Sequence, residues 1–174
     1  MSNVAIVIVA YNSGEFLRRC LAAVVGSADQ VVVVDNASPD RKTADACAGF
    51  AGVDVLERAN NDGFATAANA GIAATVAPWV LLLNPDAWPR DEAVPALLRC
   101  GERDPRIGAV GPLLVDDRGQ PARSTIRPPL SPAALALWAA VPKRVTRGYD
   151  VWRRATRRGT PDAVRAGEFL QGAV

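Results

Sequence analysis

Residues 79–89 read WVLLLNPDAWP. Five apolar residues stop on an amide, a proline and a carboxylate, and Pro85 has no N–H with which a strand ladder could continue. A strand buried in a parallel sheet ends this way: it is continuously apolar because helices cover both faces, and turns polar where it meets the rim. The same grammar recurs upstream. Val4–Ala10 closes on Tyr11-Asn12-Ser13-Gly14, residues 30–34 are nearly all valine and close on Asp35-Asn36-Ala37-Ser38-Pro39-Asp40, and Val53–Glu57 is a third short strand.

Helical patterns fill the gaps. Phe16, Leu17, Cys20, Leu21 and Val24 recur at helical spacing. Ser38-Pro39 predicts a second helix start, with serine as cap and proline at the first helical position. Asn61-Asp62-Gly63-Phe64 opens an alanine-rich helix reaching about residue 74, and a fourth helix begins near Asp91, where Pro95 trims or kinks the first turn. The order β-α-β-α-β-α-β with continuously apolar strands predicts an α/β fold: a doubly wound, mostly parallel sheet flanked by helices.

Downstream the regularity fades. Residues 107–111 and 113–115 are apolar, Asp116-Asp117-Arg118-Gly119 reads as a hairpin-type turn, and Pro121, Pro128, Pro129, Pro132 and Pro142 punctuate a segment whose helical candidate is 133–140. The expected organisation is a core over 1–120, followed by an irregular, Pro-rich and basic segment over 121–174.

The chain has 174 residues, 49% hydrophobic and 22% charged, which suits one folded domain. It contains no histidine, so Ser-His-Asp and Cys-His nucleophiles and the commonest zinc ligand are excluded. Cys20, Cys47 and Cys100 lie far apart and read as buried thiols of a reducing compartment. The N-terminal apolar run lacks a basic lead and soon meets a turn, so it is a strand and neither a signal peptide nor a membrane span. Net charge is +2, but eight of the 20 Lys/Arg and only three of the 18 Asp/Glu fall in residues 143–174. Following the apolar ALALWAAV, that basic stretch either rests on an anionic membrane surface or lipid diphosphate, or is a solvated loop. Its thin aromatic content argues against nucleic-acid binding.

In an open parallel sheet, ligands bind outside the carboxyl ends of the strands. Here those ends carry Ala10-Tyr11-Asn12, Asp35-Asn36 and Asn84-Pro85-Asp86. Neither G-x-G-x-x-G nor G-x-x-x-x-G-K-[ST] is present, so phosphates need another counter-charge. A divalent cation, Mg²⁺ or Mn²⁺, on a strand-end carboxylate supplies one, taking its remaining ligands from water and a diphosphate. Asp86 is placed for that role, with Pro85 fixing the backbone that aims it. Asp35 can accept hydrogen bonds from a base or ribose, and the Tyr11 region offers backbone groups and a ring. Asn61, Gly63 and Asn69 sit at or within the first turns of the third helix, near the same rim. Each also has a plainer reading, with Asp35 as a turn residue, and Asn12-Ser13 and Asn61-Gly63 as capping turns.

VAIVIVAYNSGEFLRRCL, VVVVDNASPD, NNDGFATAANAGI and WVLLLNPDAWP together resemble, in order and spacing, the family-2 glycosyltransferases of the GT-A fold. Within them the similarity is to the bacterial branch containing rhamnosyltransferases that act on polyprenyl-diphosphate-linked sugars. The resemblance implies that Ala10, Tyr11 and Asn12 line the base pocket, and that Asp35 hydrogen-bonds the base with Asn36 beside it. It implies further that Asn61, Gly63 and Asn69 border the nucleotide-sugar, and that Asn84-Pro85-Asp86 replaces the family's Asp-x-Asp, with Asp86 on the cation. The implied reaction is an inverting single displacement from a dTDP- or UDP-sugar, rhamnose among the candidates, to a cell-envelope glycan or polyprenyl-diphosphate-linked acceptor. The implied location is the cytoplasm, at the inner face of the plasma membrane.

The family's base follows a Gly-Ala or Gly-Ser segment, which Gln171-Gly172-Ala173 resembles. The base is therefore expected beyond Val174, and the chain is expected to be truncated. A donor-binding module without catalysis is the alternative of another class. A sugar-nucleotide pyrophosphorylase is disfavoured, because the glycine-rich, Arg- and Lys-bearing start of that fold is absent.

Overall fold

β1 (Val4–Ala10) is buried along its whole length and forms the centre of a four-stranded sheet ordered β3-β2-β1-β4, with β2 at Gln30–Asp35, β3 at Val53–Glu57 and β4 at Trp79–Leu83. All three pairings are parallel, with Ala10 beside Asp35, Ile8 beside Leu83 and Asp35 beside Glu57. Structure is described, in a computed structural model, for residues 3–112 and 114–115 and for the backbone of 126–127 and 169–170.

Side chains of a strand alternate between faces, and the two faces of β1 and β2 are buried by different helices. Ile6, Ile8, Val31 and Val33 pack with Leu17, Cys20, Leu21 and Val24 of α1 (Gly14–Val24), Ala46 and Cys47 of α2 (Lys42–Cys47), and Val94 of α4 (Ala93–Gly101). Val7, Val9, Val32 and Val34 pack with Ala67 and Ala68 of α3 (Phe64–Ala73). The small residues of α3 let it lie close: a Cβ at Gly71 would come within 2.5 Å of Val7 Cγ1 and 2.8 Å of Val34 Cγ2. The chain therefore winds β1-β2-β3 outward in one direction and returns through α3 to place β4 on the other side of β1. Ligands of such sheets bind outside the carboxyl ends of the strands at a reversal of this kind.

The doubly wound α/β expectation holds, with differences at the edges. Serine does not start α2: the helix begins at Lys42, because Asp35 Oδ1 accepts the Ser38 N–H (3.0 Å) and draws residues 35–38 into a turn, while Asp40 Oδ1 accepts the Lys42 N–H (3.2 Å). Phe16 is 54% exposed rather than part of the α1 core face. Val55 and Leu82 are exposed on the outer strands, so continuous apolarity does not mean two covered faces there. Pro95 sits in the first turn of α4, where its missing N–H costs nothing, and the helix runs through it.

The chain divides into two compact units, Met1–Pro105 and Arg106–Val174. In the second, β5 (Ile126–Arg127) pairs antiparallel with β6 (Phe169–Leu170), and residues 107–111 form no strand. The Asp116–Gly119 turn, the 133–140 helix and most of the basic segment lie outside the described residues.

Candidate functional site

On the β2 side of the rim, backbone and side chains bond one another directly. Two residues without the freedom of glycine take left-handed backbone here, Asn12 at φ 54° and Ala37 at φ 63°. The Asn12 N–H donates to Ser38 Oγ (3.1 Å), which also shares a hydrogen bond with the fully buried Thr43 hydroxyl (3.2 Å). Ser38 thus ties the end of β1 to α2, a role sequence reading missed by taking it as a helix cap. Its signal was the Asp35-x-x-Ser38 turn spacing, reinforced by Asp40 as a competing cap. Asp35 is half-buried, and its carbonyl accepts the Arg58 N–H (3.0 Å) at the end of β3. Tyr11 and Asn12 are exposed, whereas Ala10 is fully buried and only its backbone reaches the rim, where its carbonyl accepts the Asn36 N–H (2.9 Å).

Asn36 is 3% exposed, and its Nδ2 donates to Asn61 Oδ1 at 2.8 Å. The same oxygen accepts the Gly63 N–H at 3.2 Å. Gly63 has φ 87° and ψ 165°, backbone that favours glycine, and it caps α3. Asn61 and Gly63 are exposed; Asn69, also exposed, lies in the second turn of α3, about 7.5 Å along the axis from Phe64. Beside this loop a hollow of about 370 Å³ is lined by Leu56, Glu57, Arg58, Ala59, Asn60, Asp62 and Ala70. The Arg58–Asp62 ion pair (2.9 Å) forms part of its wall.

On the β4 side, α1 holds the Asn84–Trp88 turn through softer contacts. The Cys20 thiol approaches the Asn84 carbonyl at 3.7 Å, and the Arg19 guanidinium lies 3.8 Å from the centroid of the Trp88 ring. These partners are some sixty residues apart, so no local sequence signal announces them. Burial, reinforced by the negative charge of Asp86, pushes the Cys20 thiol up to about 12, which makes Asp86 an electrostatic neighbour of α1. Burial and then Asp35 raise Cys47 to about 11 on the other side. Since Ala10 is beside Asp35 and Ile8 beside Leu83, Asp35 and the Asn84–Asp86 turn flank β1 two strand spacings apart, about 10 Å.

Asn84 is half-buried and Asp86 exposed; no hydrogen bond or ion pair engages the Asp86 carboxylate among the described residues. Those residues hold no group of three or more His, Cys, Asp or Glu able to retain a metal ion. A resident, fully ligated metal does not fit this rim. A cation that keeps its waters and shares one carboxylate with a bound diphosphate does, and Mg²⁺ is commonly held so. No described helix is long and apolar enough to cross a membrane.

A family model described as "Glycosyl transferase family 2" matches residues 5–156. The N-acetylglucosaminyl-diphospho-decaprenol L-rhamnosyltransferase of Mycobacterium tuberculosis (strain CDC 1551 / Oshkosh) is 33% identical over 128 residues, 66% of this chain and 42% of that protein. A TPR repeat-containing protein of Synechococcus elongatus is 36% identical over 86 residues, 49% of this chain and 21% of its own. Among solved structures, a mannosyltransferase from Pyrobaculum calidifontis in complex with GDP-Man and Mn²⁺ superposes with a TM-score of 0.56 at 25% identity, covering 67% of this chain and 36% of that one. The chain thus spans 42% of the length of the rhamnosyltransferase it matches.

Proposed function

We propose, from the premise that this chain belongs to glycosyl transferase family 2 and has the GT-A fold, that its rim binds a nucleotide-sugar and serves transfer of the sugar to a glycan or polyprenyl-diphosphate-linked acceptor. The observation that carries this reading is that Asp35, built into a hydrogen-bonded turn at the end of β2, and Asp86, exposed and with no hydrogen bond or ion pair among the described residues, lie just past the carboxyl ends of the two strands that flank β1. Asp35 and the Tyr11 region receive the base. Asn61, Gly63 and Asn69 border the nucleotide-sugar, and the Asn84–Asp86 turn faces the diphosphate with Asp86 as ligand to Mg²⁺ or Mn²⁺. When bound there, the cation supplies Lewis-acid stabilisation of the departing nucleoside diphosphate. The acceptor hydroxyl oxygen bonds to the anomeric carbon as that carbon's bond to the diphosphate breaks, so the centre inverts and the hydroxyl proton passes to a base.

Rhamnose as the transferred sugar is supported by the 33% identity to a protein named as an L-rhamnosyltransferase, while a dTDP- or UDP-linked donor rests on the family resemblance of the sequence. The Mn²⁺ in the complexed mannosyltransferase supports a divalent cation. Three free thiols support a reducing cytoplasm, and the basic run in 143–174 an anionic inner membrane face.

Calorimetric titration of the chain with UDP, dTDP and their sugars, with and without Mn²⁺, tests the reading. Mn²⁺ is expected to tighten binding at least tenfold, and Asp86→Ala to lose that gain. Unchanged affinity in Asp86→Ala removes the cation assignment, and no binding of any nucleotide-sugar removes the reading. Binding without turnover by residues 1–174 would favour a donor-binding module over an enzyme.

A further inference from the structure

The buried carboxamide of Asn36 has an orientation that can be deduced. A backbone N–H only donates, so the Asn61 atom that meets the Gly63 N–H must be the carboxamide oxygen. That oxygen also meets the Asn36 side chain at 2.8 Å, so the Asn36 atom facing it must be the amide nitrogen. This leaves Asn36 Oδ1 buried with no partner among the described residues. An unpaired buried acceptor weakens a fold, and an apolar side chain of the same shape would remove the penalty. Asn36 therefore sits at a position where packing alone favours a different residue.

What the amide does is visible in its contacts. Its backbone N–H is bonded to Ala10 at the end of β1, and its side chain reaches across to the loop that caps α3. Asn61 itself is exposed, and apart from Gly63 its oxygen is anchored through Asn36. We propose that Asn36 is a positioning residue: it touches no ligand, and from beneath the rim it holds the Asn61–Gly63 loop in the shape that receives the nucleotide-sugar. The proposal rests on the donor-site reading above for its ligand, and on geometry for the loop.

Two measurements on the whole chain test it separately. In Asn36→Leu the unpaired acceptor disappears, so thermal stability should hold or rise, while the Gly63 amide should exchange its hydrogen about tenfold faster as Asn61 is released. Affinity for UDP or dTDP with Mn²⁺ should fall by about tenfold, the equivalent of one hydrogen bond to the loop. Asn36→Asp, which keeps the shape but faces Asn61 Oδ1 with an acceptor, should give the same two losses if the leucine chain does not fold. Because Asn36 acts through Asn61, the double variant with Asn61→Ala should lose no more affinity than Asn61→Ala alone. Unchanged Gly63 exchange, or additive losses of affinity, would overturn the positioning role. Faster Gly63 exchange in a chain whose wild type binds no nucleotide would uphold the loop anchor and overturn the donor-site reading instead.

Discussion

The two halves of the rim are held by different chemistry. On the β2 side, directional hydrogen bonds form two adjacent clusters, one joining Asn12, Asp35 and Thr43 through Ser38 and one joining Asn36, Asn61 and Gly63. The two meet at the Asp35-Asn36 peptide and at the Asn36 N–H bonded to the Ala10 carbonyl. On the β4 side, what α1 offers the turn is a long thiol contact and a guanidinium over an indole. On the function proposed above, the half that receives the base gains from being formed in advance, since fixed donors and acceptors need no reordering when the ligand arrives. The half proposed to take a diphosphate and a cation can stay open, because Asp86 would be satisfied from outside.

The layers beneath should differ in the same sense. Valine at Gly71 would drive its Cβ into Val7 and Val34, branched side chains fixed in the middle of the buried sheet, and we expect a loss of about 3 kcal/mol in urea unfolding. Alanine at Gly101 meets the far edge of the Trp79 ring at 2.6 Å, a side chain on an outer strand that can turn aside, and should lose about 1 kcal/mol. Equal losses would break the contrast. A smaller pair sharpens it at the rim. Ser38→Ala removes the acceptor of the Asn12 N–H and the partner of the buried Thr43 hydroxyl, at about 1–2 kcal/mol, whereas Arg19→Ala, giving up an exposed cation–π contact, should lose about 0.5 kcal/mol. Chemical unfolding of the two variants side by side checks the order, and the reverse order would contradict it.

The rigid half was also the harder one to read. Strand limits were legible because valine and leucine runs stopped at Asp35 and Asn84, and Trp79–Leu83 and Val53–Glu57 fall where the sequence places them. Gly63 was legible through its turn context, and its φ of 87° gives the reason for glycine. Ser38 was misread because local capping and a tertiary bond to Asn12 use the same hydroxyl, and sequence shows the first alone. The resemblance implies Asn36 beside Asp35 at the base; in the structure its side chain is buried and bonded to Asn61, a contact 25 residues away that no local pattern shows, while Asp35 stays half-exposed. Cys20 was legible as a buried position of α1, but its contact with Asn84 and that of Arg19 with Trp88 carried no signal, since the partners come from elements far away in the chain.

Cys20 and Cys47 report on the two halves separately. Burial, with Asp86 second, raises Cys20 from 9.0 to about 12, and burial, with Asp35 second, raises Cys47 from 9.0 to about 11. An acid whose pKa is higher folded than unfolded keeps its proton in the native state, so this stability is full below pH 9 and is lost as pH climbs toward 11 and 12. Between about pH 8.5 and 9.5 each thiol should remove about 0.7 kcal/mol, a slope that alanine at either position would lessen. The proposed cation would separate the halves further. If Mn²⁺ binds at Asp86 with UDP, it offsets the charge that helps raise Cys20 and leaves the surroundings of Cys47 alone, so alkylation of Cys20 at pH 9 should quicken, by about twofold at most, with Cys47 unchanged. Equal acceleration of both would mean that the charge at β4 is felt across β1, and the rim would then be one electrostatic site rather than two.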